Sequence, residues 1–149
     1  MVDSNCLICN RPAVSTRSGV SVCEFCENII PEIMNVTPHP ITMQTTSGFM
    51  FSVPTSGIVV NAKPVESVSG SVTRGGVVIE LAKTVFESTA EESEKITAIE
   101  SHHPDAVIVG SMIAAQAFPG RIFAMVPVAG FERVAPAEKR MRCDKFTVF

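Results

Sequence analysis

The chain has 149 residues, 46% of them hydrophobic and 18% charged, with a formal net charge of −3 at pH 7. This composition excludes a disordered chain, and the charge balance excludes a general attraction to nucleic acid or to an anionic membrane. The length allows one ordinary core, or a small core beside a stapled module.

Charge is unevenly placed along the chain. Residues 87–105 carry Glu87, Glu91, Glu92, Glu94, Glu100 and Asp105 against Lys95 alone. Residues 121–149 carry the bases Arg121, Arg133, Lys139, Arg140, Arg142 and Lys145 against Glu132, Glu138 and Asp144. Two solvated faces that attract one another are the plain expectation. The start of the chain has neither a basic segment nor an apolar run, so a secretory signal is not expected. The longest charge-free apolar stretch, residues 106–120, contains Pro119 and is too short to cross a bilayer. Five cysteines, four of them in C-x-x-C pairs, fit metal ligation in a reducing compartment better than a disulfide framework. A cytoplasmic protein without membrane association is expected.

Residues 1–35 read as a first module. Cys6 and Cys9 form one knuckle, followed by Asn10, which tolerates the turn conformation needed there. Residues 14–22 read as a small hairpin turning at Ser18-Gly19. Cys23 and Cys26 then open a short helix that meets Pro31. The spacing is C-x2-C-x13-C-x2-C, and zinc takes four such thiolates in a tetrahedron. Knuckle, hairpin and a second pair at a helix start resemble the treble-clef zinc finger, with the two-knuckle zinc ribbon as a close relative. That resemblance implies a Zn2+ site made by Cys6, Cys9, Cys23 and Cys26, and no particular function. A thioredoxin-like redox pair lacks its βαβ setting here. The same thiolates would chemically accept iron or an iron–sulfur cluster, but zinc is the expected metal. In residues 1–30, Arg11 and Arg17 are the only bases, against Asp3, Glu24 and Glu27. A phosphate-tracking surface needs clustered bases and stacking aromatics, so a structural staple or a protein-contact surface is expected rather than a nucleic-acid partner.

Residues 36–40 hold two prolines, which stiffen the chain, and a domain boundary is placed there, with His39 as an exposed linker residue. A small α/β domain of residues 41–149 follows. In residues 41–54, Ile41, Met43 and Thr45 face one way on a first strand and Phe49, Phe51 and Val53 share a face on a second, around a Ser47-Gly48 hairpin turn. Residues 57–62 are predicted as a third strand and residues 76–82 as a fourth, joined by a Ser/Gly-rich loop that includes Ser69-Gly70. Ser88 and Glu91 have capping-box spacing. The helix they predict runs to about Ser101 with Ile96 and Ile99 as its apolar stripe, and ends before Pro104. Residues 105–126 then read as a βαβ unit. Val107, Ile108 and Val109 suit a central strand covered on both faces. Gly110-Ser111 makes the turn with Ser111 as N-cap, a short apolar helix runs to Phe118, and a second strand follows Pro119-Gly120. Residues 136–141 suggest a helical turn or two, residues 146–149 a final strand, and Cys143 a free thiol.

The chemistry-bearing candidates outside the cysteines are few. The Gly110-Ser111 turn presents helix N–H groups, Lys139, Arg140 and Arg142 could close over an anion there, and Asn61 ends a predicted strand. The sequence has no dinucleotide-binding, P-loop or nucleophile-elbow motif. The order Val59-Val60-Asn61-Ala62 and Val109-Gly110-Ser111 loosely resembles small archaeal and viral proteins that bind or cleave cyclic oligonucleotides, the ring nuclease-like proteins. In that family an Asn-containing turn and a strand-Gly-His-helix unit cup the ligand. The resemblance implies binding of an anionic, nucleotide-like ligand, while Ser111 in place of the family's histidine removes the implied cleavage.

The expected fold is α+β or α/β: a four-cysteine zinc finger, then a mixed sheet with a short βαβ unit and two main helices. The expected function is a non-catalytic binding or regulatory module with a protein partner or self-association, and a small anionic ligand. The alternatives are a phosphoester-acting enzyme using His102 or His103, and an assembly protein using the finger for protein contacts. Only three histidines are present, none with a nucleophile or carboxylate at motif spacing, so binding ranks above catalysis.

Overall fold

The computed structural model describes residues 5–149. Its centre is a mixed sheet of six strands: β3 (Ile33–Asn35), β4 (Ile41–Gln44), β5 (Met50–Val53), β8 (Val107–Gly110), β9 (Phe123–Pro127) and β10 (Met141–Thr147). They lie in the order β3-β8-β9-β10-β4-β5. Two further ribbons stand outside the sheet: β1 (Ser15–Arg17) with β2 (Val20–Val22), and β6 (Lys63–Arg74) with β7 (Val77–Glu87). The helices are α1 (Ala90–His102) and α2 (Met112–Ala117). The fold is α+β, and no described helix is long and apolar enough to cross a membrane.

The βαβ unit forms as the apolar pattern requires. Strands β8 and β9 are adjacent and parallel, with Val109 opposite Phe123 and Gly110 opposite Ala124. Ser111 caps α2, its Oγ accepting from Ala114 N at 3.1 Å. The side chains of β8 alternate between two cores. Ile108 faces a cluster with Ile96 and Ile99 of α1 and Ala114, Phe118 and Ile122 around α2. Val109 faces the opposite cluster, which contains Val20, Val22 and Ile30 beside Ile33, Met43 and Phe51. The molecule is therefore three layers: helices, sheet, and the cysteine-rich N-terminal segment.

That second cluster spans the boundary expected at residues 36–40. Strand β3 precedes the boundary in sequence, yet it forms the sheet edge parallel to β8, with Ile33 opposite Val107 and Asn35 opposite Val109. Fully buried Asn35 also fixes the proline-rich segment: its Nδ2 donates to His39 O at 2.8 Å, and its Oδ1 accepts from Thr37 N and Oγ1.

The 41–53 hairpin keeps its expected faces, with Ile41, Met43, Thr45, Phe51 and Val53 buried. The loop is longer than a two-residue turn, since the last rung is Gln44–Met50 and Thr45 closes on Phe49.

Several expectations are corrected. Residues 57–62 are not a strand; the segment is held by Val60 N donating to Val36 O and by α1, whose Glu92 accepts from Asn61 N and whose Lys95 donates to Val59 O. The predicted Ser/Gly-rich loop is the long strand β6. The expected strand at 76–82 is longer and forms the other arm of that hairpin as β7. The helix cap sits one residue later than the Ser88–Glu91 box, at Thr89, whose Oγ1 accepts from Glu92 N. The final strand begins at Met141 rather than Phe146, because it pairs with both β9 and β4.

Candidate metal centre

Two backbone turns of the same design bring the cysteines together. Asn10 takes a positive φ of 64°, and its N–H donates to Cys6 O, turning the chain back after Cys9. Glu27 N donates to Cys23 O and does the same for the second pair. Between them the β1–β2 ribbon turns on Ser18 (φ 49°) and Gly19 (φ 80°), the positive pair that a two-residue hairpin needs. The second pair leads into a single three-residue 3-10 turn at Cys26–Asn28, so the helix expected after it is reduced to that turn.

The sulfur atoms of Cys6, Cys9, Cys23 and Cys26 all lie within 4.8 Å of one another. Cys9 Sγ is 3.5 Å from Cys23 Sγ and 3.8 Å from Cys26 Sγ. A disulfide needs about 2.05 Å, and among the described residues all five cysteines are free. Tetrahedral zinc with Zn–S bonds of about 2.3 Å requires sulfurs roughly 3.8 Å apart. The cluster could hold a metal ion, and a donor set of four cysteines is typical of zinc.

The electrostatics differ between the thiols. Burial of Cys6 works to raise its pKa, but the N–H groups of Cys9, Cys23 and Ile8 aimed at its sulfur outweigh burial and bring it down to about 6. Ile8 N lies 3.4 Å from that sulfur. Cys23 is buried too, and the N–H groups of Cys26 and Phe25 lower it in the same way. Apart from Cys23 N–H, which reaches Cys6 from the other knuckle, these donors stand two and three residues after the first cysteine of each pair, so each knuckle stabilises one thiolate. Burial pushes Cys26 up to about 12, and the neighbouring sulfurs add to the rise. Four sulfurs this close, on three buried cysteines and the exposed Cys9, cannot hold several negative charges alone; a divalent cation relieves that conflict.

The other sequence-predicted residues are spread across the molecule. Gly110 is a packing position: a Cβ there would lie 2.7 Å from Ile122 Cγ2. Ser111 is an exposed helix cap, and exposed Asn61 is tied through its backbone to Glu92. Lys139 and Arg140 lie near the start of β10 and line a 430 Å³ cavity with Thr42, Met50, Phe131 and Glu138. Arg140 donates to Gln44 Oε1 at 3.1 Å and stacks on Phe131. Arg142 forms a two-bond pair with Asp144 at 2.9 Å and lines a neighbouring cavity of 240 Å³. Neither Ser111 nor Asn61 lines these two cavities. Of the C-terminal bases, Arg121 meets the acidic helix, donating to Ser93, Thr97 and Glu100. His102 and His103 are exposed at the end of α1, beside a small hollow formed with Met34, Ile58 and Ala98.

Sequence reasoning missed Ser18 and Glu32, which tie the cysteine-rich segment to the sheet. Buried Ser18 donates through Oγ to Pro31 O at 2.7 Å and accepts from Ile33 N at 3.0 Å, while its own N–H donates to Glu32 Oε2. A serine before glycine reads only as a turn residue, so its partners carried no local signal.

Compared with protein-family models, curated proteins and solved structures, the chain matches none.

Proposed function

We propose that this protein is a zinc-stabilised, non-catalytic binding module. The observation that carries this reading is the closed set of four converging cysteines. A catalytic zinc keeps a position for water or substrate, whereas four thiolates fill the tetrahedron and leave zinc a structural part. Cys6, Cys9, Cys23 and Cys26 would hold the ion, which would supply cross-linking of two loops and charge neutralisation, not reactivity. Such a thiol cluster suits a reducing compartment, in keeping with a cytoplasmic protein.

The binding role rests on the surface of the knuckles. Leu7, Val14 and Phe25 are exposed there, Phe25 by 63%, with Arg11 stacked 4.8 Å over the Phe25 ring. An apolar patch edged by an arginine suits a protein partner better than nucleic acid. We also assign Lys139 and Arg140, at the 430 Å³ cavity, to a small anionic ligand. Phe131 lines the same cavity and holds Arg140 against its ring, which presents the guanidinium as a flat stacking surface suited to a nucleotide-like anion.

The test is a thermal-shift panel of nucleotides and cyclic nucleotides on the zinc-loaded protein, with Lys139→Ala/Arg140→Ala as control. Stabilisation that disappears in the double variant supports the ligand site, as mass action requires of a tight ligand. No shift with any anion removes the ligand. Loss of a specific phosphoester substrate during incubation would overturn the non-catalytic reading.

A further inference from the structure

The β6–β7 hairpin is the most exposed regular structure in the molecule. Its eleven rungs run from Lys63–Glu87 at the base to Arg74–Val77 at the tip. Gly75 and Gly76 take positive φ values of 58° and 80° and close the tip as a two-residue turn. At the base Phe86 is half-buried against the helix-side core, so the face carrying Phe86 looks toward the body. The opposite face carries Val65, Val72, Val77, Ile79, Leu81 and Val85. Val65 and Val72 are seven residues apart, which would put them on opposite faces of a regular strand. The register shift between Val68 and Gly70 absorbs one residue and returns both to the same face, opposite Val85 and Ile79. The bulge thereby gathers these apolar residues on the face opposite Phe86, with the Ser67–Lys83 rung between them and Lys63, Glu87 and Arg74 at the ends.

We infer that this face is a self-association surface, occupied by the same face of a second copy across a two-fold axis running along the arm. Such an axis lays each rung over its own reverse. The Lys63–Glu87 rung then meets itself with opposite charges facing, forming two intermolecular ion pairs. Neither residue has an ion pair within its own chain among the described residues. The Gly70–Leu81 rung meets itself with a large side chain over a glycine, twice. Val65 lies over Val85 and Val72 over Ile79, while Lys83 faces the small Ser67. Because Phe86 turns the other face to the body, the two bodies attach on the outer sides of the stack. The arm bears Lys63, Arg74 and Lys83 against Glu66, Glu80 and Glu87, so its charge balances. That balance disfavours a polyanionic or strongly charged partner and permits a second copy.

The area sets the strength. A β7 strand at about 3.3 Å per residue is roughly 36 Å long, and two strands make a face about 10 Å wide. Two such faces cover roughly 700 Å² together, below the ~1,200 Å² where stable interfaces begin. The arm alone therefore gives a weak, concentration-dependent dimer.

The experiment is sedimentation velocity on the zinc-loaded full chain from micromolar to sub-millimolar concentration. The native chain is expected to shift from monomer to dimer. Ile79→Glu, on the outward face, weakens dimerisation at least tenfold, whereas Val78→Glu, on the other face and 70% exposed, leaves it unchanged. Glu87→Lys and Lys63→Glu each remain monomeric alone, and an equal mixture of the two forms a heterodimer. That last result cannot arise from hairpin stability within one chain. A native chain that stays monomeric throughout, equal effects of Ile79→Glu and Val78→Glu, or a mixture that stays monomeric would each overturn the inference. Circular dichroism checks that every variant folds, which exposed arm positions permit.

Discussion

Stripping the metal from the cysteine cluster is expected to unfold the sheet as well as the knuckles. Residues 1–35, read from sequence alone, would come apart as a separate module. In the structure Val20, Val22 and Ile30 are buried in the same cluster as Ile33, Met43, Phe51, Val53 and Val109. Fully burying such a side chain is worth about 1.5–3 kcal/mol, so exposing Val20, Val22 and Ile30 forfeits roughly 5–9 kcal/mol as an upper bound. The whole stability of a domain this size is about 5–15 kcal/mol. With the ion gone, the remaining margin is small or absent, and loss of the knuckles spreads into β3, β4 and β5. The assay is hydrogen exchange with and without a zinc chelator under reducing conditions, following the amides of Met43 and Val53. Both are expected to lose most of their protection on chelation. If the knuckle amides open while Met43 and Val53 exchange as in the loaded protein, the shared core is not coupled to the metal and the reasoning fails.

Gly110→Ala is expected to cost about 1–3 kcal/mol, because its Cβ would press to 2.7 Å against Ile122, which is fully buried and has no free direction to move; an unchanged melting temperature would show that the sheet–helix contact is looser than drawn. Ser18→Ala leaves Ile33 N–H and Pro31 C=O without their buried partner, a loss of about 1–3 kcal/mol by denaturant titration, and β3 amides should be the first affected. Zinc retention should fall on acidification. Cys26, held near 12 without metal, must lose its proton for the ion to bind, and Cys6, brought down to about 6, keeps its thiolate until the pH drops below that value. Proton and metal compete for the same sulfur, so zinc release to a chromophoric chelator should rise steeply below about pH 6. Release that does not depend on pH would argue against thiolate ligation.

Legibility in the sequence followed the distance over which each feature is encoded. The cysteine pairs, Asn10 and the Ser18-Gly19 turn all lie in the short segment 6–26, and their spacing carries their chemistry. The 41–53 hairpin and the βαβ unit at β8 and β9 were also legible, because alternation and a continuous β-branched run are local patterns. The β6–β7 arm was not: Ser67, Ser69, Gly70 and Ser71 look like a loop, and the bulge breaks the alternation that would have joined Val65 to Val72. Strand β3 was hidden for another reason. Ile33, Met34 and Asn35 are too short to show a period, and their partner β8 lies more than seventy residues further along. The tail bases show the limit of sequence proximity. Arg140 and Arg142 are neighbours in the chain, yet one stacks on Phe131 and the other pairs with Asp144, decisions made by strand register rather than by composition.

The central claim is that Cys6, Cys9, Cys23 and Cys26 hold one structural zinc. Elemental analysis of the purified chain, beside the Cys9→Ser and Cys26→Ser variants, tests it most directly. One zinc per native chain, with the metal lost or greatly weakened in both variants, is the result expected of a four-thiolate site. Iron in place of zinc, no metal in a folded native protein, or full zinc retention in both variants would contradict it.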